Sequence, residues 1–330
     1  MKRISTCRAA YLIPFIEILR DIGVPLEREL VRARLPVLVE ETPEDFVSNI
    51  LALEFLARCE RREGIADLGW LWARQFSSST FSADLLAATR SLPTVRARLE
   101  RLASLIQLED SDTRVGVVDD DGTAEIYCDG SPPQGLGGVA ISEWTQVMVL
   151  IGMVRSIAGK SWSPDEIRFK SDFSVCNEAR AANPNTRFIK KSKHTSIVVP
   201  SSVLATSTPI CVTASLPAQD ICADHDATGN LKRLLRPYLL GAAPKIKVLA
   251  EIAGTSQRTL QRNLGQAGIS YSELIETTRF EMATEMMRDT NIQLIDVAMT
   301  LGYENQSNFG RSFRRIAGMS PGKYRRQMLN

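Results

Sequence analysis

"LGYENQSNFGRSFRRIAGMSP", residues 301–321, sets three arginines (Arg311, Arg314, Arg315) and three amides (Asn305, Gln306, Asn308) against one acid, Glu304. The stretch opens with Leu301-Gly302 and closes with Gly318 and Ser320-Pro321, residues that end and restart helices. Phe309 and Phe313, four apart, give it one apolar face. The polar side chains fall on the other faces. It therefore reads as a short helix with a buried aromatic stripe and an outer surface of amides and guanidinium groups.

An imperfect copy lies about fifty residues upstream. In "LAEIAGTSQRTLQRNL" (249–264) Ala250 precedes Gly254 by four, as Ala298 precedes Gly302 in "VAMTLGYENQSNFGRSF" (297–313). Leu260, Arg262 and Leu264 match Phe309, Arg311 and Phe313 at the same two-residue steps, with one extra residue in the second turn. Each copy reads as helix, glycine turn and second helix. Leu294, Val297, Ala298 and Leu301 form one buried stripe, and the small Ala250 and Ala298 allow close helix crossing. Gly302 takes the left-handed conformation that stops a helix. Ser256 and Asn305 are suited to cap the helices that follow.

Two charged helical hairpins would explain the apolar stripes alone. They would not explain why neither outer face carries an acid between Ser256 and Gly268 or between Gln306 and Gly318. Amides and guanidinium groups match the hydrogen-bonding edges of bases, Gln or Asn to adenine and Arg to guanine. Between the copies, Ser270 and Glu273 form a capping box and Phe280, Ala283 and Met287 keep one apolar face. A single helix over 271–289 is expected, about 28 Å long at ~1.5 Å per residue. Adjacent major-groove faces of B-DNA lie about 34 Å apart, so one chain has roughly the span to reach two of them.

At 330 residues and 44% hydrophobic content the chain is long enough for two domains. No run is long and apolar enough to cross a membrane. The apolar stretch Ala9–Ile16 runs straight into Glu17, Arg20 and Asp21 and reads as an amphipathic helix, which makes a cytoplasmic chain the expectation. Six cysteines lie apart with no CxxC pair, which fits reduced thiols. Cys222, Asp224, His225 and Asp226 sit in a Ser/Thr/Pro/Asp-rich stretch and read as solvated linker, not as a metal site. Residues 231–330 carry 15 Lys and Arg against 8 Asp and Glu, whereas the other 230 residues carry 25 against 30. A basic end on an acidic body points to a polyanion at that end.

Residues 205–230 are the linker candidate, between an N-terminal domain over 1–204 and an all-α domain over 231–330. The N-terminal part is mixed α/β and largely helical. Helices are expected over 43–60, 64–76, 81–106 and 141–158, and a hairpin over Arg114–Val118 and Ala124–Cys128 around an Asp-Gly turn. Further strands are expected at 166–170 and 195–200. Trp70, Trp72, Phe76, Phe81, Trp144 and Trp162 read mainly as core, with pocket walls as the alternative. No motif for nucleotide, cofactor, metal or covalent catalysis appears.

Residues 246–326 resemble the DNA-binding domain of AraC/XylS-type bacterial transcription regulators. Ala298, Gly302, Tyr303, Phe309, Phe313, Gly318, Pro321, Tyr324 and Arg325 stand where that family's signature wants them, and Ala250, Ser256, Leu260, Arg262 and Leu264 match in the first copy. The resemblance implies an all-α domain with two helix-turn-helix motifs joined by a long helix. It implies base or phosphate readers at Arg258, Gln261 and Arg262 and at Gln306, Ser307, Asn308 and Arg311. Phosphate contacts are implied at Ser256 and Asn305, and backbone attraction at Lys323, Arg325 and Arg326. Gln293 departs from the family's usual capping residue, and Asn263 and Gly265 fall inside the first reading helix.

The N-terminal half is similar, more weakly, to the arabinose-binding-like domain of one branch of that family. This implies a non-enzymatic regulator with promoter DNA, a second copy of the chain, RNA polymerase and a small-molecule effector as partners. An N-terminal domain that only dimerises or binds a protein remains open. A DNA-repair enzyme joined to a similar block would need a zinc-held reactive cysteine in a Pro-Cys-His context, which none of the six cysteines has.

Overall fold

The computed structural model describes residues 4–130, 137–207, 227–240 and 243–329. The chain divides into two compact units: Ser5–Leu35 with Asn49–Ala223, and Met1–Ile4 with Pro36–Ser48 and Asp224–Asn330. Segment 36–48, which the sequence alone placed within the first domain, thus packs with the C-terminal unit. Of the expected linker, residues 208–226 lie outside the described residues, as do Cys211 and the Cys222, Asp224, His225 and Asp226 group.

The first unit is mixed α/β. Strands β1 (Arg114–Asp120) and β2 (Thr123–Asp129) form the expected hairpin, turning at Asp121-Gly122 with Gly122 at φ +73°. With β3 (Glu166–Arg168), β4 (Arg187–Ile189) and β5 (Thr195–Pro200) they make one sheet in the order β1-β2-β5-β3-β4. Only β3 and β4 pair in parallel. Three-residue β4 has too few positions to show alternation, and the sequence reading passed over it. Ala124, Ile126 and Cys128 on β2 and Ile197 and Val199 on β5 alternate into the core.

Four helices of this unit matter here: α1 (Asn49–Glu63), α2 (Leu68–Gln75), α3 (Val95–Leu105) and α4 (Val139–Ala158). Helix α4 is apolar nearly all round because α1, α2, α3 and the sheet all pack on it; Trp144, Val147, Leu150 and Val154 are buried. The helix expected over 81–106 is instead two, Ala83–Arg90 and α3, because Pro93 interrupts it and Thr94 Oγ1 accepts from the Ala97 N–H (3.2 Å) to cap the second. The aromatic rings pack at tilted or edge-on angles: Trp70 with Trp144 (5.1 Å), Trp72 with Phe76 (5.3 Å) and Phe76 with Phe81 (5.6 Å). Trp70, Trp72, Phe81 and Trp144 are core, as the main reading had it, while Phe76 and Trp162 are half-buried. Cys7, Cys59 and Cys128 are buried, and among the described residues no His, Cys, Asp and Glu side chains gather into a metal-binding group.

Between α1, α4 and the chain around Asp110 lies a cavity of about 680 Å³, its mouth included. Asp110 at its wall accepts the Asp112 N–H at 2.8 Å. Burial pushes its carboxyl from 3.8 up to about 6.

The second unit is all-α among its described residues apart from the short extended stretch Phe46–Ser48. Its helices are α5 (Ala227–Leu235), α6 (Ile246–Ile252), α7 (Gln257–Gln266), α8 (Tyr271–Met286), α9 (Leu294–Thr300), α10 (Gln306–Ala317) and α11 (Pro321–Met328). Pairs α6–α7 and α9–α10 share one turn geometry. After α6, Gly254 N–H donates to Glu251 O (3.1 Å) and Thr255 N–H to Ala250 O (2.8 Å). After α9, Gly302 donates to Met299 O (3.0 Å) and Tyr303 to Ala298 O (3.0 Å). Both glycines are left-handed, at φ +64° and +71°. This paired bonding satisfies carbonyls that a helix end would otherwise leave bare.

Segment 36–48 lies on α5 and the 3₁₀ turn after it. Arg236 Nε donates to Asp45 (2.9 Å) while Arg236 Nη1 donates to Glu285 on α8 (3.2 Å), and the Arg233 guanidinium sits 3.7 Å from the centre of the Phe46 ring. One arginine therefore holds the segment, α5 and α8 together.

Two stability changes follow. Gly265, in the last turn of α7, has nothing within 4 Å of where a Cβ would stand, so Gly265→Ala should stabilise the C-terminal unit by up to about 1 kcal/mol. Gly302→Ala should destabilise it by about 1–2 kcal/mol through its left-handed backbone. Urea titration of both variants, followed by helical ellipticity, reads the opposite signs. In the first unit, the raised Asp110 carboxyl contributes stability that is complete below about pH 4 and lost as pH rises through about 6. Asp110→Asn, which keeps the acceptor for Asp112, should raise Tm at pH 7.5, by an amount equivalent to about 1–3 kcal/mol, and leave it unchanged at pH 4.

Candidate nucleic-acid interface

The two outward helices α7 and α10 are held by their apolar faces. On α7, Leu260 and Leu264 are buried; on α10, Phe309 and Phe313. Phe313 is the centre of an aromatic cluster, 4.8 Å from Phe280 on α8, 5.6 Å from Phe309 and 5.3 Å from Tyr324 on α11. Arg279 lies over Tyr303 at 5.0 Å and Tyr303 OH donates to Ser312 Oγ at 3.2 Å, which fixes the turn before α10. These contacts orient α10 rigidly with its remaining faces turned out.

The sequence-derived residues occupy those faces. Ser256, Arg258, Gln261 and Arg262 on the first pair are exposed, as are Asn305, Gln306, Ser307 and Arg311 on the second; Asn308 is half-buried. Neither helix has an acid in its first turn. Ser256 Oγ accepts from Thr259 N–H (3.1 Å) and Asn305 Oδ1 from Asn308 N–H (2.9 Å), so both are true N-caps. One of the four unpaired N–H groups at each helix start is thereby met from within, and the positive end of the helix dipole points outward.

The two faces differ in preorganisation. Arg311 Nη2 donates to Asn308 Oδ1 at 2.6 Å, one turn earlier on the same helix. Asn308 is itself fixed through its backbone to Asn305, giving a chain from cap to guanidinium. Among the described residues Arg258, Gln261 and Arg262 have no side-chain partner of this kind. Helix α7 also carries Gly265, the weaker helix former.

Some cations near the surface are used within the fold. Arg315 pairs with Glu276 on α8. Arg325 Nη1 donates to Ile292 O (2.8 Å), tying α11 to the turn before α9, so it is a brace and not a free surface charge. The turn needs that brace because Gln293, at the start of α9, makes no side-chain cap. Lys323 and Arg326 are exposed. The connecting helix α8 ends at Met286, earlier than the expected 289, and spans about 24 Å at ~1.5 Å per residue. Its capping box is as expected, with Ser270 N–H donating to Glu273 Oε2 (2.6 Å) and Glu273 N–H to Ser270 Oγ (3.2 Å). Sequence reading missed Arg236, Arg279 and Arg315 as organising residues, since their partners lie far along the chain.

Residues 249–327 match the family model described as a helix-turn-helix domain. The chain is 34% identical over 99 residues to the ornithine utilization regulator of Pseudomonas aeruginosa, covering 29% of each chain. It is 32% identical over 113 residues to the HTH-type transcriptional regulator VirS of Mycobacterium tuberculosis, covering 34% of this chain and 33% of that one. These matches therefore span about a third of each relative's length. The solved structure of the transcriptional regulator CdpR from Pseudomonas aeruginosa aligns over 92% of this chain and 96% of that one, at 18% identity and a TM-score of 0.39. The two helix pairs and their glycine turns fall within or just beside residues 249–327, the segment that matches the helix-turn-helix domain and that these regulators share.

Proposed function

We propose that the chain is a sequence-specific DNA-binding transcriptional regulator. Its α6–α7 and α9–α10 pairs act as two helix-turn-helix readers, and its N-terminal unit senses a small molecule and pairs two copies of the chain. The observation that carries this is the pair of repeated, acid-free outer faces of amides and arginines on rigidly seated helices. Gln306, Ser307, Asn308 and Arg311 are the principal readers, with Arg258, Gln261 and Arg262 the looser second set. Ser256 and Asn305 sit at phosphates, where helix N-termini favour anions. Relatives named as regulators share this segment and support the reading. The N-terminal unit communicates with the readers through covalent connections on both sides of segment 36–48 and through 205–230. RNA polymerase and promoter DNA are the macromolecular partners of such a protein.

A footprint of the purified chain on DNA upstream of its own and neighbouring genes tests this. Two protected segments per chain, about 10 base pairs centre to centre, are expected. Absence of any sequence-specific protection, with and without candidate effectors, sinks the reading. Arg311→Ala should lose about 1–3 kcal/mol of binding at one base position and relax preference there. Equal weakening on every sequence, with a shallower salt dependence, would make Arg311 a phosphate contact instead.

A further inference from the structure

We propose that the cavity of the N-terminal unit binds a small, largely apolar molecule whose one polar end is a protonated amine seated against Asp110. As a regulatory site this rests on the effector-sensing reading above. The binding itself follows from the walls. Most of the lining is apolar, Leu12, Phe15, Leu53, Leu56 and Val149 among it. The polar groups on it include Asn49, Asp110, Thr113 and Gln146, of which Asn49 and Asp110 touch. Apolar walls with a few polar groups among them are the usual make-up of a small-molecule site.

The charge of the ligand follows from what Asp110 lacks. Three inward carboxylates of this unit meet a guanidinium: Glu109 has Arg8 at 2.8 Å, Glu29 has Arg62 at 2.7 Å, and Glu166 has Arg168 and Arg187, whereas the buried Glu143 accepts the Ser171 N–H at 3.2 Å. Asp110 has no cationic partner among the described residues. It has the Asp112 N–H at 2.8 Å, neutral hydrogen bonds from the Thr113 backbone and side chain, and a long contact from Asn49 Nδ2, at 3.3 Å and 3.5 Å to its two oxygens. No Lys, Arg or His is among the described residues that line the cavity. Asp112, two residues on and bonded to Ser5 Oγ, adds negative potential. An anion entering here would meet a carboxylate and no counter-charge, whereas an ammonium group would supply the missing partner by a charge-assisted hydrogen bond.

Calorimetric titration of the full chain at pH 7.5 with phenethylamine, phenethyl alcohol and phenylpropionate separates charge from shape. Phenethylamine should bind at least about tenfold more tightly than phenylpropionate, with the alcohol between them. Asp110→Asn, which conserves volume and the Asp112 acceptor, should reduce the amine-over-carboxylate preference by about tenfold. Ala52→Phe, which fills the cavity, should abolish binding of the amine. Equal or tighter binding of phenylpropionate, an unchanged preference in Asp110→Asn, unchanged binding in Ala52→Phe, or no binding of the amine at millimolar concentration each overturn the proposal. Footprinting the same preparations keeps the two readings apart. Specific DNA protection without amine binding removes only the cavity assignment, and amine binding without DNA protection removes only the regulatory role.

Discussion

The left-handed turn at Gly254 and its counterpart at Gly302 is the constraint on which the C-terminal unit depends. In each, the paired backbone bonds to the preceding helix fix where the next helix starts. A side-chain cap, Ser256 in one and Asn305 in the other, then aligns its first turn. With that direction set, only one stripe of each following helix reaches the core, and the aromatic cluster around Phe313 locks it for α10. The polar face is turned outward as a geometric consequence of the turn, not because its own side chains hold it there.

A second constraint works across sequence distance. Arg236 meets Asp45 and Glu285, and Arg233 covers Phe46, so thirteen N-terminal residues, 36–48, are committed to the C-terminal unit. Partly buried ion pairs of this kind give little net stability, since desolvation offsets most of the attraction. What they supply is a fixed register for the segment. Its far end runs directly into α1, whose Asn49, Leu53 and Leu56 line the cavity.

The N-terminal unit contains a deliberate-looking imbalance. Its sheet and α4 bury apolar side chains efficiently, and Glu29, Glu109 and Glu166 are matched by arginines. Asp110, at the edge of a cavity, is held by neutral donors alone, the Asp112 N–H and Thr113 among them.

The sequence by itself determined the helix pairs, their caps and the outward residues from Ser256 to Arg262 and Asn305 to Arg311. Those features are local: glycine stops, cap residues and i, i+4 apolar spacing act within a few residues. It also determined the hairpin at Asp121-Gly122 and the strand at 195–200 through alternation and turn chemistry. Only the tertiary structure decided the membership of 36–48, the brace role of Arg325 and the tether of Arg311 to Asn308. It alone decided the place of β4 and the position of Asp110 at a cavity. Each of these depends on a partner distant in sequence, or on a rotamer selected by packing, and neither leaves a periodic trace in the chain.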